Sequence, residues 1–210
     1  IYSGTTPKEE PTLGEFIGKW SPVTSKFEKV STSSLVLDAE DRAPTNNAIR
    51  IIDILPRSDG GYFLVREFFQ ETDAIDSKTA MAGLRWIHGP LVVSCLDAEG
   101  GETWKQTFRR LLYTTDKAIG EVFSAVYKDQ LVLLLIDNDA QAEKRKVGDK
   151  KLNYLDVKSP FSTTVVFDGT GEYKAKAIMR SSGANDFIVG QHMYQFGPKE
   201  YYWPGSHKMN

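Results

Sequence analysis

The spacing of the histidines is the first feature that could reveal a metal or catalytic site, and it supports neither. The zinc-ligand spacings H-x-x-x-H, H-E-x-x-H and C-x-x-C do not occur in the sequence. His88 stands before Gly89-Pro90, which predicts a turn and a structural role, and we expect structural roles for His192 and His207 as well. The nucleophile-elbow and phosphate-loop motifs of hydrolases and nucleotide-binding proteins are also missing from the sequence. Local motifs therefore predict no catalytic residue, no metal ion and no cofactor.

Two acidic segments have some of the features of known sites. Asp168-Gly169-Thr170-Gly171 is similar to the catalytic loop of aspartic proteases, but the residue order differs and no second copy exists, so a hairpin turn is predicted. Asp137-Asn138-Asp139 is similar to the start of a calcium loop, but Gln141 and Ala142 stand where a further ligand and a glycine are needed. Two carboxylates far apart in sequence leave no local trace, so a carboxylate-dependent hydrolase stays open as an alternative.

Aromatic residues near the end of the chain are the best candidates for a binding surface. Tyr and Trp bury large areas and lose little rotamer freedom, so they are good anchors for a partner. Pro198 and Pro204 bracket the last three aromatic residues and would stiffen them. A terminal strand that closes the core is the other interpretation. The candidate contact residues in this segment are Tyr194, Tyr201, Tyr202 and Trp203.

A basic stretch is the second candidate for a binding surface. Lys144, Arg145 and Lys146 are followed by Lys150 and Lys151. Such a stretch is typical of a solvated loop, and it could also speed the encounter with an acidic protein partner.

Strands must position most of these residues, because turn-forming clusters separate apolar and β-branched runs. Residues 48–55 and 62–69 flank a cluster that ends in Asp59-Gly60-Gly61, which predicts a hairpin. The same pattern recurs twice, with turns at 97–102 and 168–171. The chain is therefore predicted to be mainly β, an antiparallel meander, barrel or sandwich with one to three short helices, and an α+β fold is the alternative.

Helices are predicted at a few places only. Ser77 to Trp86 predicts a short helix, and Asp139 to Lys146 predicts another with Asp139 as its N-cap. Thr103 to Tyr113 has helical spacing but follows a turn, so we favour a strand there. For Ile119 to Tyr127 the pattern leaves helix and strand open.

Composition bounds the class of protein. The 210 residues carry 26 Lys plus Arg against 28 Asp plus Glu, a net charge of −2 that argues against nucleic-acid binding. Hydrophobic residues make up 40% of the chain, as in globular proteins. The single cysteine, Cys95, cannot form an intramolecular disulfide and lies in an apolar run that predicts a buried thiol. The longest apolar run, Leu131 to Ile136, is too short to cross a membrane, so no transmembrane segment is predicted.

The first residues predict a flexible tether, residues 1–13, followed by a single β-rich domain over 14–210. The tether is rich in Thr, Ser, Pro, Glu and Gly and begins with Ile1 rather than Met. We expect that a signal peptide or lipoprotein leader, with a lipid anchor, preceded Ile1, or that the chain was trimmed there. The expected location is periplasmic, cell-surface or secreted, with the cytoplasm as the alternative.

Gly18-Lys19-Trp20 opens the first β-like stretch after the tether. It resembles the G-x-W signature at the start of lipocalin and other calycin barrels, whose Trp closes one end of the barrel beneath a basic residue. The resemblance implies that role for Trp20, with Arg180 as the basic residue. Thr115-Asp116 resembles the start of the family's T-D-Y motif, but Lys117 stands in the third position.

These observations predict a non-catalytic binding protein of the cell envelope or exterior. We expect it to bind a protein partner, as an inhibitor or immunity-type protein does. The resemblance implies an alternative, a carrier of an apolar small molecule.

Overall fold

The computed structural model describes ten ranges of the chain, and all statements below concern them. They are residues 2–4, 12–34, 49–75, 82–114, 117–148, 160–180, 187–188, 194–197, 200–202 and 205–206. In these ranges the protein is mainly β, with antiparallel strand pairs and two short helices, as predicted. Within them, neither helix has the length and apolar character needed to cross a membrane.

The first half of the chain forms eight described strands. They are β1 (Tyr2–Gly4), β2 (Thr12–Ser21), β3 (Lys26–Ser34), β4 (Ile49–Pro56), β5 (Tyr62–Ile75), β6 (Ala82–Leu96), β7 (Glu102–Phe108) and β8 (Leu112–Thr114).

The second half contains both described helices. Its elements are α1 (Lys117–Gly120), β9 (Phe123–Tyr127), β10 (Gln130–Asn138), α2 (Asp139–Lys146), β11 (Pro160–Phe167), β12 (Tyr173–Arg180), β13 (Phe187–Ile188), β14 (Tyr194–Gly197), β15 (Glu200–Tyr202) and β16 (Gly205–Ser206).

Two sheets enclose the core. One has the order β4-β5-β6-β7, with β8 also paired to β6, and the other has the order β12-β11-β10-β9. Their facing side chains form one apolar cluster, in which alternate residues of each strand point inward. The cluster comprises Phe63, Val65, Leu91, Val93, Cys95, Phe108, Val122, Leu131, Leu133, Leu135, Val165 and Phe167. The predicted burial of Cys95 is confirmed.

Hydrogen bonds join the edges of these two sheets. Ser124 of β9 donates to Asp53 of β4 at 2.7 Å, and the Trp104 indole of β7 donates to the Gly169 carbonyl at 3.0 Å. A smaller sheet, β1-β2-β3, and the pairs β13-β16 and β14-β15 complete the described pairings.

The three predicted hairpins are confirmed, and they share one turn geometry. In each turn the first residue donates its backbone N–H to the carbonyl four residues on: Arg57 to Gly61, Asp97 to Gly101 and Asp168 to Glu172. The fourth residue is a glycine with positive φ: Gly60 at 86°, Gly100 at 80° and Gly171 at 88°. Glycine adopts this backbone without the steric cost that other residues incur, which is why the turns could be predicted from sequence.

The structure corrects the prediction of a helix over Ser77 to Trp86. Ala82–Trp86 belongs to β6 and pairs with Glu71–Ile75 of β5, while residues 77–81 lie outside the described ranges. The alanines suit a helix locally, but cross-strand pairing with a distant segment decides the outcome.

The predicted turn at His88-Gly89-Pro90 is also wrong. All three residues lie inside β6, and the register of β5 against β6 shifts between Glu67 and Phe69, opposite this point. A bulge accommodates Pro90, which has no N–H to give to a regular ladder.

Three segments near the middle of the chain could be helical from their sequence, and they have different outcomes. Thr103 to Tyr113, where the sequence favours a strand, contains most of β7 and the start of β8, so that prediction is confirmed over most of its length. Ile119 to Tyr127, where the sequence leaves helix and strand open, contains the end of α1 and all of β9. The helix at Asp139–Lys146 is confirmed, but its N-cap is Asn138, whose side chain accepts the Gln141 N–H at 2.9 Å.

The first strands lie where the sequence predicts a tether. Tyr2–Gly4 pairs with Thr12–Gly14 in antiparallel register, and residues 5–11 lie outside the described ranges. The domain boundary at residue 13 stays a prediction. Trp20, the residue of the G-x-W resemblance, lies in β2 with 52% of its surface exposed, and the side chain of Arg180 is outside the described positions. The calycin resemblance itself stays a prediction.

Candidate functional site

A groove of about 620 Å³ lies between the β2–β3 hairpin and one side of the β4–β7 sheet. β2 contributes Phe16 and Ile17, β4 contributes Ile51 and Ile54, and the turn after β6 closes one end. Its volume lies within the range of about 300–1,000 Å³ that is usual for small-molecule sites. The lining residues are Phe16, Ile17, Gly18, Lys19, Glu28, Ile51, Ile54, Gly60, Tyr62, Leu64, Leu96, Ala98, Glu99 and Gly100.

Strand alternation explains why β5 can face both this groove and the core. Phe63 and Val65 point into the core and are fully buried, so Tyr62 and Leu64 point to the opposite side of the sheet. Tyr62 and Leu64 line the groove. β5 is therefore apolar on both faces at this point, as expected for a strand that is covered on both sides.

The groove leaves large apolar side chains open to solvent. Phe16 is 53% exposed, Ile54 55%, Ile51 42% and Tyr62 39%. Single exposed apolar residues are common on protein surfaces, but a contiguous concave group of them is typical of a ligand or partner site.

Three charged residues stand around the groove. Lys19, Glu28 and Glu99 line it, and none of them forms an ion pair with another described residue. The lining of the groove therefore combines charged side chains with apolar ones.

A second region, at one end of the core, is built around a buried carboxylate. Glu67 of β5 has no exposed surface. One of its oxygens, Oε2, accepts from Arg50 Nε at 2.7 Å, and the other, Oε1, pairs with Arg110 and with His88 Nδ1, the latter at 3.0 Å. We call Glu67, Arg50, His88, Arg110 and Glu121 the buried ion network.

Arg50 links this carboxylate to the protein surface. Its guanidinium also binds both carboxylate oxygens of Glu121, at 3.1 and 3.0 Å. Arg50 and Glu121 line a small cleft of about 300 Å³ together with Asp53 and Ser124, which are hydrogen-bonded to each other. The network therefore has a buried inner part and an outer pair that touches solvent.

His88 of the network packs tightly against Gly120 of α1. A Cβ atom on Gly120 would lie 2.0 Å from His88 Cδ2 and 2.1 Å from Nε2, so only glycine fits there. Arg110 pairs with Glu67 of β5 and donates to the Gly120 carbonyl at 3.0 Å, so it links α1 to β5. Because the Glu67 carboxylate only accepts, His88 Nδ1 carries the proton, and its Nε2 has no partner in the described structure.

The pKa values in the network follow from burial and charge. Burial by itself would raise the pKa of Glu67, but Arg110, the hydrogen bond from His88 and the charge of Arg50 lower it to about 2. Burial lowers the pKa of His88, and this outweighs the opposite effect of Glu67. Glu67 is therefore ionised and His88 neutral at pH 7, and the ion pairs and hydrogen bonds of the network together connect β4, β5, β6 and α1.

The predicted basic residues Lys144, Arg145 and Lys146 lie on α2, and all three have interactions within the fold. Arg145 pairs with Asp137, donates to the Arg109 carbonyl at 2.8 Å and lies 4.4 Å over the Phe108 ring. Lys146 is exposed and pairs with Glu143 at 2.6 Å, and Lys144 is half-buried.

The predicted aromatic residues are brought together in part. Tyr194 in β14 is the register partner of Tyr202 in β15, and Tyr201 is opposite Gln195. Trp203 lies outside the described residues. The protein-binding role of this segment stays a prediction.

Sequence reasoning missed both the groove and the buried ion network. One signal was present: Tyr62 to Phe69 is apolar at both odd and even positions up to Val65 and then turns to Arg66-Glu67, which indicates charges inside a covered strand. The partners of Glu67 lie 17, 21 and 43 residues away, so no local motif could identify them. In the described part of the chain, no group of His, Cys, Asp and Glu side chains is arranged to hold a metal ion.

Comparison of the chain with known protein families, with curated proteins and with solved structures found no match.

Proposed function

We propose that this protein is a non-catalytic binding protein that holds an apolar small molecule in the groove between β2–β3 and the β4–β7 sheet. The observation that carries the proposal is the group of four partly exposed apolar side chains, Phe16, Ile51, Ile54 and Tyr62, around one concave space. Covering them with an apolar ligand removes this surface from water, which is the main driving force for such binding.

The buried ion network supports binding over hydrolysis. A catalytic carboxylate must reach the substrate, and Glu67 is fully buried with both oxygens occupied by Arg50, His88 and Arg110. Glu121 binds the same arginine through both of its oxygens. These contacts are those of a structural centre that fixes the sheet behind the groove.

Fluorescence titration with the uncharged apolar probe N-phenyl-1-naphthylamine tests the proposal. Ile54→Asp places a charge among the apolar lining, so we expect it to weaken probe binding at least tenfold. Val147→Asp is the matched control, because Val147 is apolar and 77% exposed but lies after α2, outside the groove. Equal affinity of the wild type and Ile54→Asp, or equal loss in both variants, would contradict the proposal.

A further inference from the structure

The tip of the β2–β3 hairpin exposes a different apolar group from the one that lines the groove. Residues 22–28 are all exposed, and Val23 in the turn has 92% of its surface in solvent. Behind it, Trp20 and Phe27 are register partners with 52% and 57% exposure. Their rings are in edge contact, with centroids 5.3 Å apart at 73°. The tip is therefore a convex apolar projection with an aromatic pair at its base.

The sequence around this tip carries a positive net charge. Lys19, Lys26 and Lys29 stand against the single acid Glu28 over residues 19–29, a local charge of +2 in a chain whose net charge is −2. The strand register places Lys19 opposite Lys29. Basic residues therefore outnumber acidic ones around the tip, in contrast to the chain as a whole.

We infer that the tip of the β2–β3 hairpin docks on an anionic lipid surface. Trp and Phe suit the boundary between headgroups and acyl chains, and lysines next to them are attracted to anionic headgroups. In this arrangement Val23 and the Trp20–Phe27 pair enter the boundary while the lysines stay at the level of the phosphates.

The shape of the tip favours a bilayer over a protein partner. A stable protein interface needs about 800 Å² from each side, usually centred on a flat or concave patch. A convex turn of a few residues offers much less area, whereas a bilayer needs only a few inserted side chains. The inserted side chains Trp20, Val23 and Phe27 are not among the groove residues, so the inference does not depend on the groove being a ligand site, although Lys19 and Glu28 belong to both surfaces.

Vesicle co-sedimentation of the full chain tests the inference. Vesicles of phosphatidylcholine with about 30% phosphatidylserine should bind the protein, and vesicles of phosphatidylcholine alone should bind it at least tenfold more weakly. Because the attraction is partly electrostatic, raising the NaCl concentration from 0.1 to 0.5 M should reduce binding to the anionic vesicles several-fold.

Two variants of equal charge separate the tip from general electrostatics. Val23→Asp should reduce the partition coefficient at least tenfold, and Val147→Asp should leave it within about twofold of the wild type, although each adds one negative charge. Both sites are highly exposed, so the fold is kept. Ile54→Asp should bind vesicles like the wild type, which separates failure of the groove proposal from failure of this one.

Several results would overturn the inference. These are no sedimentation with either vesicle, equal binding to neutral and anionic vesicles, or equal loss in Val23→Asp and Val147→Asp. Tight binding of poly-glutamate that Val23→Asp leaves unchanged, without vesicle binding, would point to an acidic protein partner instead.

Discussion

The groove and the buried ion network lie on opposite faces of the same strand, β5. Their side chains differ in how far they are exposed and in how completely they are paired within the fold. Glu67 has no exposed surface and its two oxygens have three partners between them. In the groove, Phe16 and Ile54 remain more than half exposed, and Lys19 and Glu28 form no ion pair with another described residue. Groups whose interactions are satisfied within the fold stabilise it, whereas groups that the fold leaves open are available to a ligand. This difference predicts that substitutions in the network affect stability and substitutions in the groove affect binding.

The largest effect is expected for Glu67→Gln. The change leaves Arg110, which is 1% exposed, without its charge partner in the core. Breaking a buried pair in this way costs about 3–5 kcal/mol of unfolding free energy. Glu121→Gln is the control, since it removes only the outer contact of Arg50 and should cost about 1–2 kcal/mol. Urea denaturation measures both, and equal losses would mean that the inner and outer parts of the network do not differ.

Acidification should weaken the fold in two pH windows. The pKa of Glu67 is lowered from 4.5 to about 2, so between these values the unfolded chain binds a proton that the folded one does not. Stability should therefore fall as the pH drops from 4.5 to 2, by about 3 kcal/mol in total from this group. Burial also lowers the pKa of His88, so a further loss should begin as the pH drops below 6.5.

Urea denaturation at a series of pH values from 8 to 2 measures both windows. In Glu67→Gln the lower window should lose most of its slope, because the group that titrates there is gone. A wild-type slope that persists unchanged in this variant would assign the acid sensitivity to other carboxylates.

An intermediate effect is expected for Gly120→Ala. The added methyl would lie 2.0 Å from the His88 ring, so α1 or His88 must shift. Overpacking of this kind costs about 1–3 kcal/mol. Gly169→Ala is the control, because a Cβ there meets nothing within 4 Å, and its effect should stay within about 0.5 kcal/mol. Thermal melting followed by circular dichroism compares them, and equal melting temperatures would show that the His88 contact relaxes freely.

The smallest effect on stability is expected in the groove. Phe16→Ala should change the unfolding free energy by less than about 0.5 kcal/mol, because more than half of this side chain is already in water. The same change at Phe63, which is fully buried, should cost about 3–5 kcal/mol. Probe titration of Phe16→Ala should nevertheless show weaker binding. A large loss of stability in Phe16→Ala would show that Phe16 belongs to the core, and it would contradict the predicted difference between the groove and the network.

The sequence was sufficient for features that depend on neighbouring residues. The three hairpins follow from glycines at positions that require positive φ, Gly60, Gly100 and Gly171. The helix from Asp139 follows from its polar sequence and capping residues, although the cap itself is Asn138, one residue earlier. Such features are set by local backbone preferences, which a single sequence carries.

Features that depend on distant residues could not be predicted. The helix expected over Ser77 to Trp86 gives way at Ala82–Trp86 to pairing with β5, and Gly89-Pro90 lies in a bulged strand rather than a turn. The groove and the network join segments 17 to more than 40 residues apart, and only the fold brings them together. For the aromatic and basic residues predicted to bind a partner, the residue types alone do not indicate which segments of the chain they contact in the fold.

The three equivalent turns have a consequence for how the chain folds. Each joins neighbouring strands through a few residues, so the loop that must close is short and costs little entropy. Hairpins of this kind form within about 1–10 μs, well before strands from distant segments meet. The pairing of β4 with β5, β6 with β7 and β11 with β12 can therefore be complete early, leaving the docking of the two sheets as the slow step. In kinetic terms, we expect substitutions at the turn glycines to slow folding and substitutions of Glu67 and its partners to speed unfolding.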